Sequence, residues 1–259
     1  MLLAIDIGNT NTVFGVFDGE RLDKFWRIKT DARNTADELA LTFRGLLADH
    51  KVTGVAACST VPAALRELRV MLAEHYSGLP TVLVEPGVRT GVSLQYDNPK
   101  EVGADRIVNT LAAYHLVRGA AIVVDFGTTT NFDVVGPTGD FLGGALAPGI
   151  EISLDALAAR AAQLRKVELV EPRSPIGKST VEALQSGILY GFAGQVDGMV
   201  RRLRLALAPE APDAVEVIAT GGLAPLMIEI SETLTRHEPD LTLLGLRLIY
   251  DRNVVGQHS

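Results

Sequence analysis

Short apolar runs alternate with polar turns along the first half of the chain, and their lengths fit strands and helices. A helix after the third strand is marked by the capping box Thr35-Ala36-Asp37-Glu38 and by large apolar residues at helical spacing. The elements predicted for this half are strands at 2–6, 12–17 and 21–28, a helix opening at 35, a strand at 53–57, a helix at 62–76 and a strand at 81–84. Their order is β-β-β-α-β-α-β.

The second half repeats this order after a loop at 85–98 and a helix at 99–117. The predicted elements are strands at 120–125, 130–135 and 140–143, helices at 150–164 and 180–207, a strand at 215–219, a helix at 223–236 and a strand at 241–244. The pattern therefore predicts an α/β protein built from two similar lobes, residues 1–117 and residues 118–259.

The closest internal likeness lies in the first turn of each lobe. The segment Asp6-Ile7-Gly8-Asn9-Thr10-Asn11-Thr12 follows one strand, and Asp-Phe-Gly-Thr-Thr-Thr-Asn follows its counterpart at 125–131. An ungapped overlay sets Asp125 on Asp6, Gly127 on Gly8, Thr129 on Thr10 and Val135 on Val16.

Such a turn offers several backbone N–H donors to a phosphate, beside a carboxylate that can position a metal ion. A single copy would be equally well explained as a polar hairpin turn. Two copies that both keep the aspartate favour two loops that close on one ligand. The repeated order also matches the duplicated actin-like, or ribonuclease H-like, lobes of actin, sugar kinases and Hsp70, which bind a nucleotide in the cleft between them.

Composition narrows the class of protein further. Almost half of the 259 residues are apolar, yet no run reaches the ~18 residues of a membrane span, and the chain opens directly on a strand rather than a signal peptide. Cys58 is the only cysteine, so no intrachain disulfide can form and we expect a cytoplasmic protein. A net charge of −7 without a basic stripe argues against nucleic-acid binding.

A candidate general base follows the loop in the middle of the chain. Asp105 lies in Gly103-Ala104-Asp105-Arg106, early in the helix predicted at 99–117. A surface aspartate at a helix N-terminus is the simpler interpretation. Glu101, however, precedes Asp105 by four residues, and like charges at that spacing repel unless a metal ion or Arg106 compensates. A carboxylate there can accept the proton of a substrate hydroxyl in phosphoryl transfer.

Four other motifs bear on nucleotide binding, zinc binding and acyl transfer. Residues 172–179 nearly spell a Walker A loop, but Pro172 replaces its first glycine and has no N–H to donate. Thr220-Gly221-Gly222 follows a buried strand and opens a helix, and an ordinary strand-to-helix turn is the simpler interpretation. In a two-lobed kinase-like fold, the same position would let an adenine approach bare backbone. The five histidines show no zinc-ligand spacing with one another or with Cys58, and a Gly-x-Ser-x-Gly elbow is absent.

The motifs together resemble the type III pantothenate kinases, the first committed enzymes of coenzyme A synthesis, over essentially the whole chain. The resemblance is carried by residues 6–12, Tyr96-Asp97-Asn98-Pro99, residues 103–106, residues 125–128, and Gly143-Gly144 through Pro148-Gly149. It implies ATP-dependent phosphorylation of pantothenate to 4′-phosphopantothenate.

The resemblance also implies roles for individual residues. ATP would be held by Asp6, Ile7, Gly8, Asn9, Thr10, Asn11, Thr12, Val13 and Thr128. Asp105 would be the catalytic base, and pantothenate would contact Tyr96, Gly103, Ala104, Arg106 and Thr180. Asp125 would bind a monovalent cation, K⁺ or NH₄⁺, beside the Mg²⁺ that accompanies ATP. Family members are homodimers, and the glycines at 187, 191, 194 and 198 in the helix 180–207 would help to build the dimer interface.

One departure and two alternatives accompany this hypothesis. Asn131 stands where threonine is common in the family, although its side chain can still form hydrogen bonds. Another phosphotransferase of the same fold, acting on a sugar, acetate or polyphosphate, is one alternative, because fold alone does not decide function. The other is a nucleotide-binding regulator without turnover, a role suggested by the name Bvg accessory factor that some relatives carry.

Overall fold

The computed structural model describes residues 1–48, 50–160 and 167–254. The chain forms two compact units, one from Met1–Ala112 with the chain from Asp240 onward, and one from Ala113–Pro239. Within the described residues, no helix combines the length and the apolar character that a membrane span requires.

The first unit is a five-stranded sheet covered by helices on both faces. Its strands are β1 Leu2–Ile7, β2 Asn11–Asp18, β3 Arg21–Lys29, β4 Gly54–Ser59 and β5 Thr81–Leu83, in the order β3-β2-β1-β4-β5. The helices are α1 Ala36–Leu47, α2 Pro62–His75, α3 Ala104–Val117, which continues into the second unit, and α7 Leu241–Asn253.

Each face of this sheet has its own apolar core. Phe43 of α1 and Leu68 of α2 pack with Leu3 and Ile5 of β1 on one face. On the other face, α3 and α7 pack against the alternate strand residues, among them Ala4 and Cys58. The strand period of two explains this division, since successive side chains point to opposite faces. The capping box at Thr35 forms as predicted, with Glu38 as its partner.

The second unit repeats the architecture. Its strands are β6 Ala121–Phe126, β7 Thr129–Val135, β8 Phe141–Pro148, β9 Glu216–Thr220 and β10 Arg236–His237, in the order β8-β7-β6-β9-β10 when read from the β8 edge. The helices are α4 Ile150–Arg160, α5 Thr180–Leu207 and α6 Ala224–Ile228. The identical strand order in the two sheets confirms the duplicated α/β fold.

The helix predicted at 99–117 is interrupted. Pro99–Glu101 forms a 3₁₀ turn, Val102 is extended at φ −75° and ψ 119°, and α3 begins at Ala104. Glu101 and Asp105 therefore do not share a helix, and the repulsion inferred from helical spacing does not apply. Glu101 instead accepts a hydrogen bond of 2.7 Å from the Asn98 side-chain amide.

Two elements near the C-terminal end differ from prediction. The helix expected at 223–236 ends at Ile228, because the Asp197 carboxylate on α5 binds the backbone N–H groups of Glu232 and Thr233 in a loop. The segment 241–244, predicted as a strand, is the first turn of α7. Its buried residues Leu243, Leu246 and Ile249 lie three positions apart, a spacing that places side chains on one face of a helix. The four residues 241–244 are too few to show this spacing. Among the described residues, the last strand is β10. Strand β8 continues to Pro148, beyond the strand end predicted at residue 143.

The compact units also differ from the predicted lobes. α7 packs against β1 and β4 of the first sheet, so residues 240–254 belong to the first unit rather than to a lobe of residues 118–259. The predicted helix 150–164 begins at Ile150 and is described to Arg160; positions 161–164 lie outside the described residues, as does His258.

The strand register corrects the ungapped overlay of the two turns. Asp6 lies opposite Val13, seven positions on, whereas Asp125 lies opposite Asn131, six positions on. The second turn is therefore one residue shorter. Val135, which pairs with Ala121, corresponds to Phe17, which pairs with Leu2, and not to Val16.

Candidate active site

Asp6 occupies the carboxyl end of β1, the central strand of the first sheet. It lies opposite Val13 of β2 and, in parallel register, beside Cys58 of β4. The Cys58 thiol donates a hydrogen bond of 3.3 Å to Asp6 Oδ1. Burial, and then the charge of Asp105, raise the pKa of Asp6 from 3.8 to about 7, while the Cys58 hydrogen bond opposes this rise. The site thus holds a carboxyl group that titrates near neutral pH.

The turn after Asp6 is held by its backbone and presents its side chains outward. The Gly8 N–H donates to the Asn11 carbonyl at 3.0 Å, and the Thr10 carbonyl accepts from the Thr30 N–H at 3.0 Å. Asn9, Thr10 and Asn11 are exposed. Such a turn can offer hydrogen-bonding groups to an anion without first reorganising.

The remaining predicted ATP contacts differ in what they can offer. The Ile7 side chain is buried in the core, so only its backbone is available to a ligand. Thr12 is also buried and its hydroxyl lies 2.9 Å from that of Thr30, which fixes the start of β2. Val13 is half-buried.

Asp105 lies in the first turn of α3, in the same unit as Asp6. The Arg106 backbone N–H donates to Asp105 Oδ1 at 2.9 Å. Burial raises the pKa of Asp105, and the Arg106 N–H and the Arg106 charge oppose the rise. Because the charge of Asp105 also raises the pKa of Asp6, the structure brings the two predicted carboxyl groups together.

Gly103 leaves room for the Asp105 carboxylate in its present orientation. A Cβ at this position would lie 2.5 Å from Asp105 Oδ1, closer than any real contact of that kind. The Gly103 carbonyl meanwhile accepts from the Arg106 N–H at 3.1 Å as α3 begins. Half-buried Ala104 and Arg106 flank the aspartate, and Tyr96 is 38% exposed in the preceding loop.

Asp125 holds the equivalent place in the second unit, at the end of β6 beside Thr220 of β9. Gly221, at φ +90°, follows directly, and a Cβ there would lie 2.5 Å from Asp125 Oδ1 and 2.6 Å from the Phe126 carbonyl oxygen. A side chain is excluded here by both backbone conformation and space. The predicted bare-backbone turn at Thr220-Gly221-Gly222 therefore lies against Asp125.

The second turn is closed by the end of β8. The Gly149 N–H donates to the Thr128 carbonyl at 3.2 Å, and a Cβ on Gly149 would overlap that oxygen. Asn131 Oδ1 accepts a hydrogen bond of 2.6 Å from the Thr129 hydroxyl. The family motif ending in Pro148-Gly149 thus supports the turn that contains Thr128.

The segment that resembles a Walker A loop folds onto α5. The Lys178 N–H donates to the Glu182 carboxylate at 3.0 Å, and the Glu182 N–H donates to Ser179 Oγ at 3.2 Å. These donors are therefore occupied within the protein, and a β-strand does not precede the segment among residues 149–160 and 167–171. Thr180, the predicted pantothenate contact, is exposed at the start of α5 in the second unit, whereas the other predicted contacts lie in the first.

Two features were missed by sequence reasoning. Cys58 was considered only as a metal ligand or disulfide partner, and only the parallel pairing of β1 with β4 places it at Asp6. Asp37, Glu74 and His75 bring ligand atoms within 4.8 Å of one another. Both His75 nitrogens face side chains, Asp37 Oδ1 at 2.9 Å and Arg44 Nη2 at 3.5 Å, so we interpret this cluster as a link between α1 and α2.

The amino-acid sequence is similar to known proteins over nearly its whole length. The family model of type III pantothenate kinase matches residues 2–202. A type III pantothenate kinase from Frankia alni is 67% identical over 254 residues, covering 98% of this chain and 100% of the relative.

Solved structures are similar at lower identity. A Baf family transcriptional activator from Campylobacter jejuni has a TM-score of 0.62 at 19% identity, covering 97% of this chain and 98% of that chain. A ROK hexokinase from Thermus thermophilus has a TM-score of 0.52 at 19% identity, covering 96% and 97%. These structural similarities show the fold alone. The family is shown by the family model and by the relatives that match over their full length. The chain belongs to the type III pantothenate kinase family.

Proposed function

We propose that this protein transfers the γ-phosphoryl group of ATP to the hydroxyl group of pantothenate, giving 4′-phosphopantothenate and ADP. The observation that carries the proposal is the pair of aspartates in the first unit. Asp105, held by the Arg106 N–H, lies close enough to Asp6 to raise its pKa, and both belong to motifs of the family. The chemistry needs one group to take the hydroxyl proton and another to organise the phosphates.

Asp105 serves as the general base in this proposal. Its raised pKa brings it closer to the operating pH, which favours proton transfer from a hydroxyl group. Gly103 leaves room for the Asp105 carboxylate, and Arg106 supplies a guanidinium suited to an oxygen of pantothenate. Tyr96, Ala104 and Thr180 complete the proposed pantothenate contacts.

We assign the phosphates of ATP to residues 6–13 of the first unit, which offer backbone and side-chain donors around an ordered turn, with Mg²⁺ accompanying the nucleotide. In the second unit, Thr128 is the residue to which the family resemblance gives an ATP contact. Positioning and charge stabilisation dominate such a reaction, because the protein itself forms no bond to the phosphoryl group.

Asp125 is assigned to a monovalent cation, K⁺ or NH₄⁺. Its carboxylate oxygen and the Phe126 carbonyl oxygen both lie beside Gly221, where a side chain would fill the space. Carboxylate and carbonyl oxygens are the donors that hard cations prefer. When bound, the cation would offset negative charge near the nucleotide. Since the reaction consumes ATP, we also propose a cytoplasmic location.

A homodimer is part of the proposal. Gly187, Gly191 and Gly194 lie on α5, and a Cβ built on each would meet nothing within 4 Å among the described residues. An open strip of glycines lets a second helix approach closely.

The test is release of ADP from purified protein with ATP, Mg²⁺ and pantothenate, in K⁺ and then in Na⁺. We expect pantothenate-dependent turnover that is faster in K⁺. Asp105→Asn should lower kcat by roughly 10²- to 10⁴-fold, the range for loss of a general base, and leave ATP affinity nearly unchanged. Asp213→Asn, whose side chain is fully exposed, is the matched control. Near wild-type turnover by Asp105→Asn would exclude Asp105 as the base.

The alternatives predict different results in the same assay. Phosphorylation of a sugar or acetate in place of pantothenate would indicate another kinase of this fold. ATP binding without turnover of any acceptor would indicate a regulator. Neither alternative is favoured, because the full-length relatives at 67% identity are named as pantothenate kinases, whereas the Baf family structure is 19% identical.

A further inference from the structure

Cys58 is a buried thiol beside a predicted catalytic group, and the proposed mechanism does not use it. It lies on β4 directly beside Asp6 in parallel register, and its Sγ is 3.3 Å from Asp6 Oδ1. The side chain is fully buried in the cluster that also contains Ala4 and Val84. The position of the sulfur atom is therefore set by the sheet and by close packing, and Asp6 Oδ1 is the acceptor within its reach.

The surroundings of Cys58 favour a protonated thiol. Burial, and then the negative charges of Asp6 and Asp105, raise the pKa of this thiol well above its usual range. The nucleophile and metal ligand is the thiolate, so a thiol that keeps its proton is a hydrogen-bond donor and chemically inert. Cys58 thus differs from a redox or catalytic cysteine, which needs positive charge or exposure nearby.

Asp6 has a specific need for such a donor. Asp105, a group of like charge, acts on Asp6 and raises its pKa. Repulsion between two carboxylates turns them apart or leaves one protonated. The Cys58 thiol counters both effects, because its hydrogen bond holds one oxygen of Asp6 in place and favours the ionised form.

We propose that Cys58 is a positioning residue, whose thiol fixes the Asp6 carboxylate in the orientation that ATP binding and phosphoryl transfer require. This inference rests on the role proposed above for Asp6. Cys58 itself touches neither ATP nor pantothenate in this proposal. It acts through one hydrogen bond.

The test compares Cys58→Ala with Cys58→Ser, and uses Val84→Ala as the packing control, since Val84 belongs to the same buried cluster. Cys58→Ala removes the donor, and we expect kcat/KM for ATP to fall roughly 5- to 10-fold, the effect of one lost hydrogen bond. Cys58→Ser supplies a stronger donor of similar size and should restore the wild-type value. Val84→Ala should lower stability without this loss.

The pH profile of kcat/KM separates positioning from packing. The groups that act on Asp6 in the described structure are Asp105 from α3 and Cys58 from β4. The Cys58 hydrogen bond lowers the pKa of Asp6, so Cys58→Ala should move the acidic limb of the profile to higher pH by roughly half a unit to one unit. Cys58→Ser should return the limb to its wild-type position. Val84→Ala should leave the limb in place.

Three results would either refute the positioning role of Cys58 or distinguish its failure from failure of the proposed function. Wild-type kinetics and an unmoved acidic limb in Cys58→Ala would refute the positioning role. Equal losses in Cys58→Ala and Val84→Ala, with unmoved profiles, would assign Cys58 to packing alone. If the wild-type protein does not phosphorylate pantothenate, the proposed function fails, and ATP affinity measured by calorimetry then tests Cys58 independently. Unchanged affinity in Cys58→Ala would reject the inference.

Discussion

At the scale of single residues, burial changes the chemistry of the two aspartates in the first unit. Asp6 and Asp105 are half-buried, and this burial raises the pKa values of both; the charge of Asp105 adds to the effect on Asp6. The same environment keeps Cys58 protonated. The low-polarity surroundings therefore disfavour the charged form of all three side chains, and among them the pKa of Asp6 rises to about 7.

This arrangement makes a prediction about stability. The Asp6 pKa is about 7 in the folded protein and 3.8 ordinarily, so the folded state holds a proton that the unfolded state releases. Its contribution to stability is complete below about pH 4 and is lost as the pH rises to 7. Asp6→Asn has no carboxyl group to titrate and therefore avoids this loss. The free energy of unfolding of the variant minus that of the wild type should be about 1–3 kcal/mol larger at pH 8 than at pH 4.

Denaturant unfolding at the two pH values measures this difference, with the exposed Asp18→Asn as control. An effect of Asp6→Asn that is the same at pH 4 and pH 8 would contradict the raised pKa.

At the scale of elements, a single side chain decides where a helix stops. Asp197 on α5 accepts hydrogen bonds from the hydroxyl groups of Ser231 and Thr233, at 2.6 and 2.8 Å, and from two backbone N–H groups. Burial works to raise the pKa of Asp197, but these hydrogen bonds outweigh it and lower the value. The segment from Ser231 is therefore a loop that leads into β10, although its residues allow a longer helix.

Loss of this carboxylate should destabilise the second unit. Asp197→Ala leaves buried donors without their acceptor, which costs about 2–4 kcal/mol. Arg201→Ala on the same helix removes an exposed ion pair with Glu232 and should cost less than about 1 kcal/mol. Chemical denaturation of both variants makes the comparison. Equal costs would mean that Asp197 does not determine the loop.

At the scale of the whole molecule, the two units share one strand order but not one set of helices. α7 comes last in the chain and completes the first unit, where it covers the sheet face opposite α1 and α2. The glycines on α5 are the feature of the second unit from which we propose a partner copy.

The proposed homodimer is tested by one substitution at that strip. Wild-type protein should sediment at twice the chain mass of 27.6 kDa. Gly191→Arg should yield monomer, because its side chain would occupy the space for a second helix. Gly45→Arg on α1, where a Cβ also meets nothing within 4 Å, should remain dimeric. A monomeric wild type would refute the dimer, and a dimeric Gly191→Arg would place its interface elsewhere.

Much of the fold was predictable from local pattern. The capping box at Thr35, the helix from Thr180 to Leu207 and most strands agree with prediction, because period and capping are encoded within a few residues. The break before Asp105 and the helix at 241–253 were not predictable in this way. Both depend on what the segment packs against, a property that a short window does not contain.

The sequence by itself determined the family and the duplication, and it pointed to the aspartates proposed for the site, since all of these lie in the order of residues along the chain. Only the tertiary structure decided that Asp6 and Asp105 act on each other, that Gly221 lies against Asp125, and that Cys58 donates to Asp6. These contacts join residues from different strands and helices, some about a hundred positions apart. Burial and distance set their pKa values and hydrogen bonds, and both arise only when the chain has folded.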